Sequence, residues 1–204
     1  MRHHFFLLLI LSSLLSGCAL HPPAPVITDT ARMTQWLAEG KMGLRVADRG
    51  GNLYFTWHQD GDRYTLSLSG PLGAGHTELS GSPDGVTLRN GNLGEVKASS
   101  PEILLEAVTG YSAPISYLSH WLKAQPATAT AQVERDSNGK ILQIAEDGWI
   151  AIFPAWDETH PTLPRKIMIT GPDTRLTVVV SKWQPGEDDH TPDTRTDSRT
   201  ETAP

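Results

Sequence analysis

Along much of this chain apolar and polar side chains alternate one for one, and no other feature limits its possible folds as tightly. Met42, Leu44 and Val46 alternate with Lys41, Gly43 and Arg45. Leu53, Phe55 and Trp57 alternate with Tyr54, Thr56 and His58, and Tyr64, Leu66 and Leu68 with Thr65, Ser67 and Ser69. The turn Asp60-Gly61-Asp62 makes the last two runs a hairpin. Shorter runs follow at Thr77–Leu79, Val86–Leu88 and Glu95–Ala98, and later at Thr130–Glu134, Lys140–Ala145, Trp149–Phe153, Arg165–Thr170 and Arg175–Ser181. One-sided alternation in successive hairpins predicts an antiparallel sheet with one apolar face. With roughly eleven strands, such a sheet tends to curl toward a barrel.

Helical signals interrupt this pattern. Thr30 to Glu39 reads as a helix, with Met33, Trp36 and Leu37 spaced for one face and Gly40 as the stop. Ser100-Pro101-Glu102 opens a second helix that Ile103, Leu104, Leu105 and Val108 fill and Gly110 ends. A third, Ile115 to Lys123, presents Leu118, Trp121 and Leu122. The apolar face of the sheet then has two readings. It is a core packed against helices, or the wall of an apolar cavity that the helices cover. Both demand the same residues.

The lone cysteine stands in Leu15-Ser16-Gly17-Cys18, after an apolar run from Phe5 to Leu15 broken only by Ser12 and Ser13, with Arg2 before it. This reads as a secretory signal, and it is too short for a spanning helix of about 20 residues. A cysteine just past the small residues resembles the lipobox of bacterial lipoproteins, in which the thiol is lipidated and the chain is cut before it. Residues 1–17 are thus expected to be a signal peptide and 18–29 a lipidated N-terminus and tether, extended by Pro22, Pro23 and Pro25. Ala19, where an aspartate would retain a lipoprotein on the inner membrane, points to the outer membrane. Residues 30–185 form one domain.

The formal net charge is −6, which argues against a nucleic-acid partner. Much of the charge sits in a tail, 186–204, where Glu187, Asp188, Asp189, Asp193, Asp197 and Glu201 face only Arg195 and Arg199. With no aliphatic residue larger than alanine, that tail reads as disordered. His21, His58, His76, His120, His160 and His190 lack metal-ligand spacing, and no nucleophile elbow or phosphate loop occurs. Neither a metal nor an enzymatic activity is expected, and the only cofactor-like group is the lipid on Cys18.

Gly70-Pro71-Leu72-Gly73-Ala74-Gly75 is a turn with a large aliphatic residue at its tip. Leu72 either folds back on the sheet edge or projects from it.

In order, the chain shows the lipobox, a tryptophan-containing helix, Gly40-Lys41-Met42-Gly43-Leu44-Arg45-Val46, Phe55-Thr56-Trp57, and Asp62-Arg63-Tyr64 leading into Gly70-Pro71-Leu72-Gly73. Then come Val108-Thr109-Gly110, Pro114-Ile115, Leu118, Trp121-Leu122, Asp147-Gly148-Trp149, Leu163-Pro164 and Ser181-Lys182-Trp183. Over about residues 18–184 this order resembles the LolB family of outer-membrane lipoproteins. The resemblance implies a mainly β fold, a single unclosed antiparallel β-barrel with a helical lid over an apolar cavity. It implies a lipid-anchored protein on the periplasmic face of the outer membrane that accepts lipoproteins from a periplasmic, LolA-like carrier and inserts them into outer-membrane lipid. The leucine that the family uses for insertion corresponds to Leu72, flanked by Pro71 and Gly73. The cavity residues expected are Met42, Leu44, Phe55, Trp57, Tyr64, Leu66, Leu68, Leu79, Leu104, Val178 and Val180. The protein is expected to act as a monomer. The alternative is a periplasmic lipoprotein carrier, or another lipid-binding envelope lipoprotein, built on the same half-barrel. The acidic tail departs from the family pattern.

Replacing the thiol tests the leader. Cys18→Ser is expected to abolish fatty-acid labelling and membrane retention while the domain still folds; labelled fatty acid on the serine variant would refute the lipobox.

Overall fold

The computed structural model describes residues 29–47, 49–71, 75–110 and 113–186. Cys18, the signal peptide, nearly all of the tether, Leu72, Gly73 and the tail beyond Gly186 lie outside the described residues.

Six strands run first: β1 (Gln35–Val46), β2 (Arg49–Asp60), β3 (Arg63–Ser69), β4 (Thr77–Ser82), β5 (Gly85–Asn90) and β6 (Gly94–Ala98). Helices α1 (Pro101–Thr109) and α2 (Ile115–Trp121) follow. The chain then returns through β7 (Gln132–Arg135), β8 (Ile141–Glu146), β9 (Trp149–Trp156), β10 (Pro164–Thr170) and β11 (Thr174–Pro185). The eleven strands make one antiparallel sheet in the order β6-β5-β4-β3-β2-β1-β11-β10-β9-β8-β7. The first strand pairs with the last mid-sheet, and the free edges are β6 and β7. Both edges are short and carry charges, Glu95 and Lys97 on one and Glu134 and Arg135 on the other, a pattern that resists edge-to-edge association. This is the unclosed, mainly β architecture with a helical lid that the sequence predicts.

The helix predicted over Thr30–Glu39 is not formed. Residues 30–32 make a turn, and β1 begins at Gln35. Trp36, Ala38, Gly40 and Met42 all point inward, so the period there is two, not 3.6. Gly40 is no helix stop. A Cβ at that position would lie 2.0 Å from the Val179 carbonyl oxygen and 3.0 Å from the Phe55 ring, at a register shift where β1 crosses β11. The remaining predicted helices are present, although α2 ends at Trp121 rather than Lys123. Ser100 Oγ accepts from Ile103 N at the start of α1, and Gly110 closes it in the left-handed conformation.

A single buried cluster fills the concave side of the sheet. It joins Phe55, Trp57, Leu66 and Leu79 on one flank to Ile144, Phe153, Ile167 and Val178 on the other, with Leu104, Leu118, Trp121 and Leu122 from above. Its fastening on the β8 side is polar. Glu146 is 5% exposed, and its carboxylate accepts from Trp121 Nε1 (2.6 Å), Thr128 N (2.8 Å), Thr128 Oγ1 (2.9 Å) and Ala127 N (3.1 Å). This one side chain ties the end of α2 and the following linker to the sheet. Lys123 Nζ donates to Met33 O, while Thr30 Oγ1 donates to Lys123 O and accepts from Gln125 Nε2, so the N-terminal turn clasps the same linker.

Glu146→Ala leaves several buried donors without an acceptor and is expected to lower unfolding free energy by about 3 kcal/mol or more. Glu146→Gln keeps one acceptor oxygen and should cost less. Urea denaturation followed by tryptophan fluorescence measures both.

Candidate functional site

Alternation on the strands places most of the predicted interior residues on one surface. Met42, Phe55, Trp57, Leu66, Leu79, Val178 and Val180 are buried on the concave face, and Leu104 enters from α1. Leu44, Tyr64 and Leu68 are half-buried and pack against the same cluster. The structure adds residues that the sequence reading did not assign to this interior: Trp36, Ala38, Val86, Leu88, Phe153, Ile169 and Trp183.

Four aromatic rings cross the interior from β11 to β3. Trp183 tilts on Trp36 (centroids 5.6 Å apart), Trp36 stacks on Trp57 (5.9 Å), and Trp57 stacks on Tyr64 (5.0 Å). The last ring fits because residue 81 is glycine; a Cβ there would lie 2.1 Å from Tyr64 Cε1. Two of these rings have their polar atoms satisfied: Trp57 Nε1 donates to Gln59 Oε1 and Trp183 Nε1 to Pro164 O. The other two do not. Trp36 Nε1 and the Tyr64 hydroxyl are buried with no hydrogen-bond partner among the described residues. Burial, with a smaller contribution from the Glu102 charge, pushes the Tyr64 phenol well above its ordinary range. It is a donor at every physiological pH.

The two helices of the lid are fastened unequally. On α2, Leu118 and Trp121 are fully buried, and the Glu146 and Lys123 contacts hold its C-terminal end. The Tyr117 hydroxyl donates to Asp147, a bond that pushes its pKa up to about 12, and its ring stacks on Trp121. Burial lowers the pKa of the Lys123 ammonium, and that of His120 is lowered by burial and then by the Lys123 charge. By contrast, α1 sends only Leu104 fully into the interior and leaves Ile103 56% exposed. Its polar tie to α2 is the Glu102 carboxylate, which accepts from Ser116 N (2.8 Å) and Ser116 Oγ (3.1 Å). Among the described residues no group of three His, Cys, Asp or Glu side chains converges as a metal site would require. Among the described residues the arrangement offers apolar burial, two unpaired donors and a helix anchored by Leu104 with Leu105 half-buried beside it. Pro71 is exposed where the loop leaves β3.

Comparison with known proteins decides the family. The sequence profile described as "Outer membrane lipoprotein LolB" matches residues 34–183, nearly the whole described sheet and lid. The chain belongs to the LolB family. Outer-membrane lipoprotein LolB of Stutzerimonas stutzeri (strain A1501) is 33% identical over 190 residues, covering 86% of this chain and 92% of that protein. The LolB of Chromohalobacter salexigens is 34% identical over 189 residues (86% and 88%), and that of Halorhodospira halophila 32% over 191 (88% and 94%). The family resemblance read from the motifs is therefore correct, and membership places the chain among outer-membrane lipoproteins.

Unequal fastening has a measurable consequence. In hydrogen exchange, amides of α1 are expected to exchange faster than those of α2 and the linker at 122–128, because their opening exposes less buried surface. Equal protection of the two helices would show that the lid opens as one unit.

Proposed function

We propose that this protein is a lipid-anchored receptor on the periplasmic face of the outer membrane. It takes lipoproteins from a periplasmic carrier and delivers them to outer-membrane lipid. The observation that carries the reading is the continuous apolar concave face, closed by a helix whose one fully buried side chain among the described residues is Leu104, with Leu105 half-buried beside it. Acyl chains enter as α1 lifts, and they take the place of Leu104 and its neighbours against Phe55, Leu66 and Leu79. Each acyl CH₂ that leaves water contributes about 0.8 kcal/mol, so one chain easily outweighs the burial of a leucine. Trp36 Nε1 and the Tyr64 hydroxyl supply donors for the ester carbonyls at the head of those chains, which is support for a ligand that is apolar with a few oxygens.

Transfer then needs neither nucleotide nor bond cleavage; the chains move from carrier to receptor to bilayer down a gradient of acyl-chain free energy. Cys18, lipidated, keeps the domain within reach of the membrane. Leu72, between Pro71 and Gly73, projects into lipid and opens the way for the cargo. The protein works as a monomer, and the relatives' name, outer-membrane lipoprotein, supports the location.

A transfer assay with a loaded carrier and liposomes separates the steps. Leu68→Arg sets a charge on the concave face and is expected to abolish acceptance of cargo, whereas Ser67→Arg, on the opposite face of the same strand, leaves it unchanged. Leu72→Glu should accept cargo normally and fail to release it into liposomes, because a carboxylate resists the acyl region. Equal behaviour of Leu68→Arg and Ser67→Arg would remove the interior from the mechanism, and normal delivery by Leu72→Glu would remove the loop.

A further inference from the structure

The convex face of the sheet has a composition that its surface position does not explain. Three neighbouring rungs of the ladder cross it. In the first, Ser69 at the base of the 70–76 loop pairs with Tyr54, Tyr54 with Lys41, Lys41 with Val179, and Val179 with Lys166. The second runs through Asn52, Gly43, Thr177, Met168 and Ile152, and the third through Gly50, Arg45, Arg175, Thr170 and Ile150. These positions alternate with buried ones, so their side chains point away from the core. Tyr54 is 48% exposed, Met168 43%, Ile152 41%, Ile150 40% and Val179 38%.

Lys41, Arg45, Lys166 and Arg175 stand among these apolar side chains, and none forms an ion pair with a described residue. Lys41 lies over the Tyr54 ring, 5.3 Å from its centroid. Arg45 and Arg175 are direct cross-strand partners, an opposition of like charges that destabilises a sheet unless an anion lies against it. The neighbouring charges on β1 and β11, Glu39 and Lys182, neutralise each other. On the lid side the half-buried Glu102 and the exposed Glu106 and Asp147 are acidic. A chain of net charge −6 has therefore gathered unneutralised cations, interleaved with half-exposed apolar side chains, on the face opposite its mouth.

We propose that this convex face rests on a bilayer surface containing anionic phospholipid. The cations take the headgroup phosphates, and Tyr54, Val179, Met168, Ile152 and Ile150 enter the interfacial layer. Such docking turns the lid away from the membrane and sets the base of the 70–76 loop at the edge of the contact. The face contains none of the interior residues, so the inference stands whether or not that interior holds acyl chains.

The test uses the processed full chain reconstituted in vesicles, with a fluorophore on a cysteine introduced at Thr170, beside Arg175 and Ile150, or at Ala107, exposed on α1. Nitroxide-bearing lipid is the quencher, and phosphatidylcholine vesicles are compared with ones that also contain phosphatidylglycerol. Quenching at Thr170→Cys is expected to exceed that at Ala107→Cys several-fold in the anionic vesicles. It should fall in phosphatidylcholine alone, in high salt, and in the double variant Lys166→Glu/Arg175→Glu. Equal quenching at the two sites, or quenching at Thr170 indifferent to lipid charge and salt, would overturn the proposal without need of the charge variants. The parent chain reports separately on the anchor, since Cys18 takes label only if it is not lipidated.

Discussion

The pairing of β1 with β11 is the contact on which the rest of this molecule depends. Without it the chain would form two meanders, β1 to β6 on one side and β7 to β11 on the other, each with an uncovered apolar face and a raw edge. The ladder runs from Trp36 opposite Pro185 to Val46 opposite Thr174, and it brings together segments nearly the whole domain apart in sequence. Its tightest point is Gly40, where the absent side chain admits the Val179 carbonyl and the Phe55 ring. The aromatic row from Trp183 to Tyr64 crosses this same seam, so the pairing that completes the sheet also builds the interior. A larger residue at 40 would act on both.

Much of this was legible in the sequence, and the failures have physical reasons. Strands whose inward residues are large, such as Phe55 and Trp57 or Leu66 and Leu68, announce themselves. The first half of β1 does not, because two of its inward positions are Ala38 and Gly40, which carry little apolar signal. What remained visible were Met33, Trp36 and Leu37, whose spacing mimics a helix face. In β9 and β10 the runs Ile150-Ala151-Ile152-Phe153 and Ile167-Met168-Ile169 are apolar on both faces, so the convex patch cannot be separated from the core by period alone. Glu146 was missed for a different reason. A glutamate in a strand reads as surface, yet it shares its parity with the buried Ile144, and parity was the better guide.

The site itself was read in two layers. The concave residues follow from alternation and the family from the order of short motifs, and the two agree on one surface. Nothing in a sequence shows that Tyr64 has no partner, or that Leu104 rather than Ile103 seals the lid. Those depend on the angle at which α1 meets the sheet, which packing against β5, β6 and α2 decides.

Among the described residues, the lid is also the only stretch of chain that runs from one free edge of the sheet to the other. Laid flat, eleven strands at a spacing of about 4.8 Å would put β6 and β7 some 48 Å apart, on the order of ten spacings. The segment from Ala98 to Gln132 is therefore a chord drawn across an arc: fully extended it would reach about 110 Å, so what holds the edges together is its folding into two helices clasped to the sheet at Glu146 and not its length. The curvature of the half-barrel thus depends on the lid staying folded as well as on the twist of the strands. Within this architecture, melting the lid would free β6 and β7 to move apart without altering a single strand pairing.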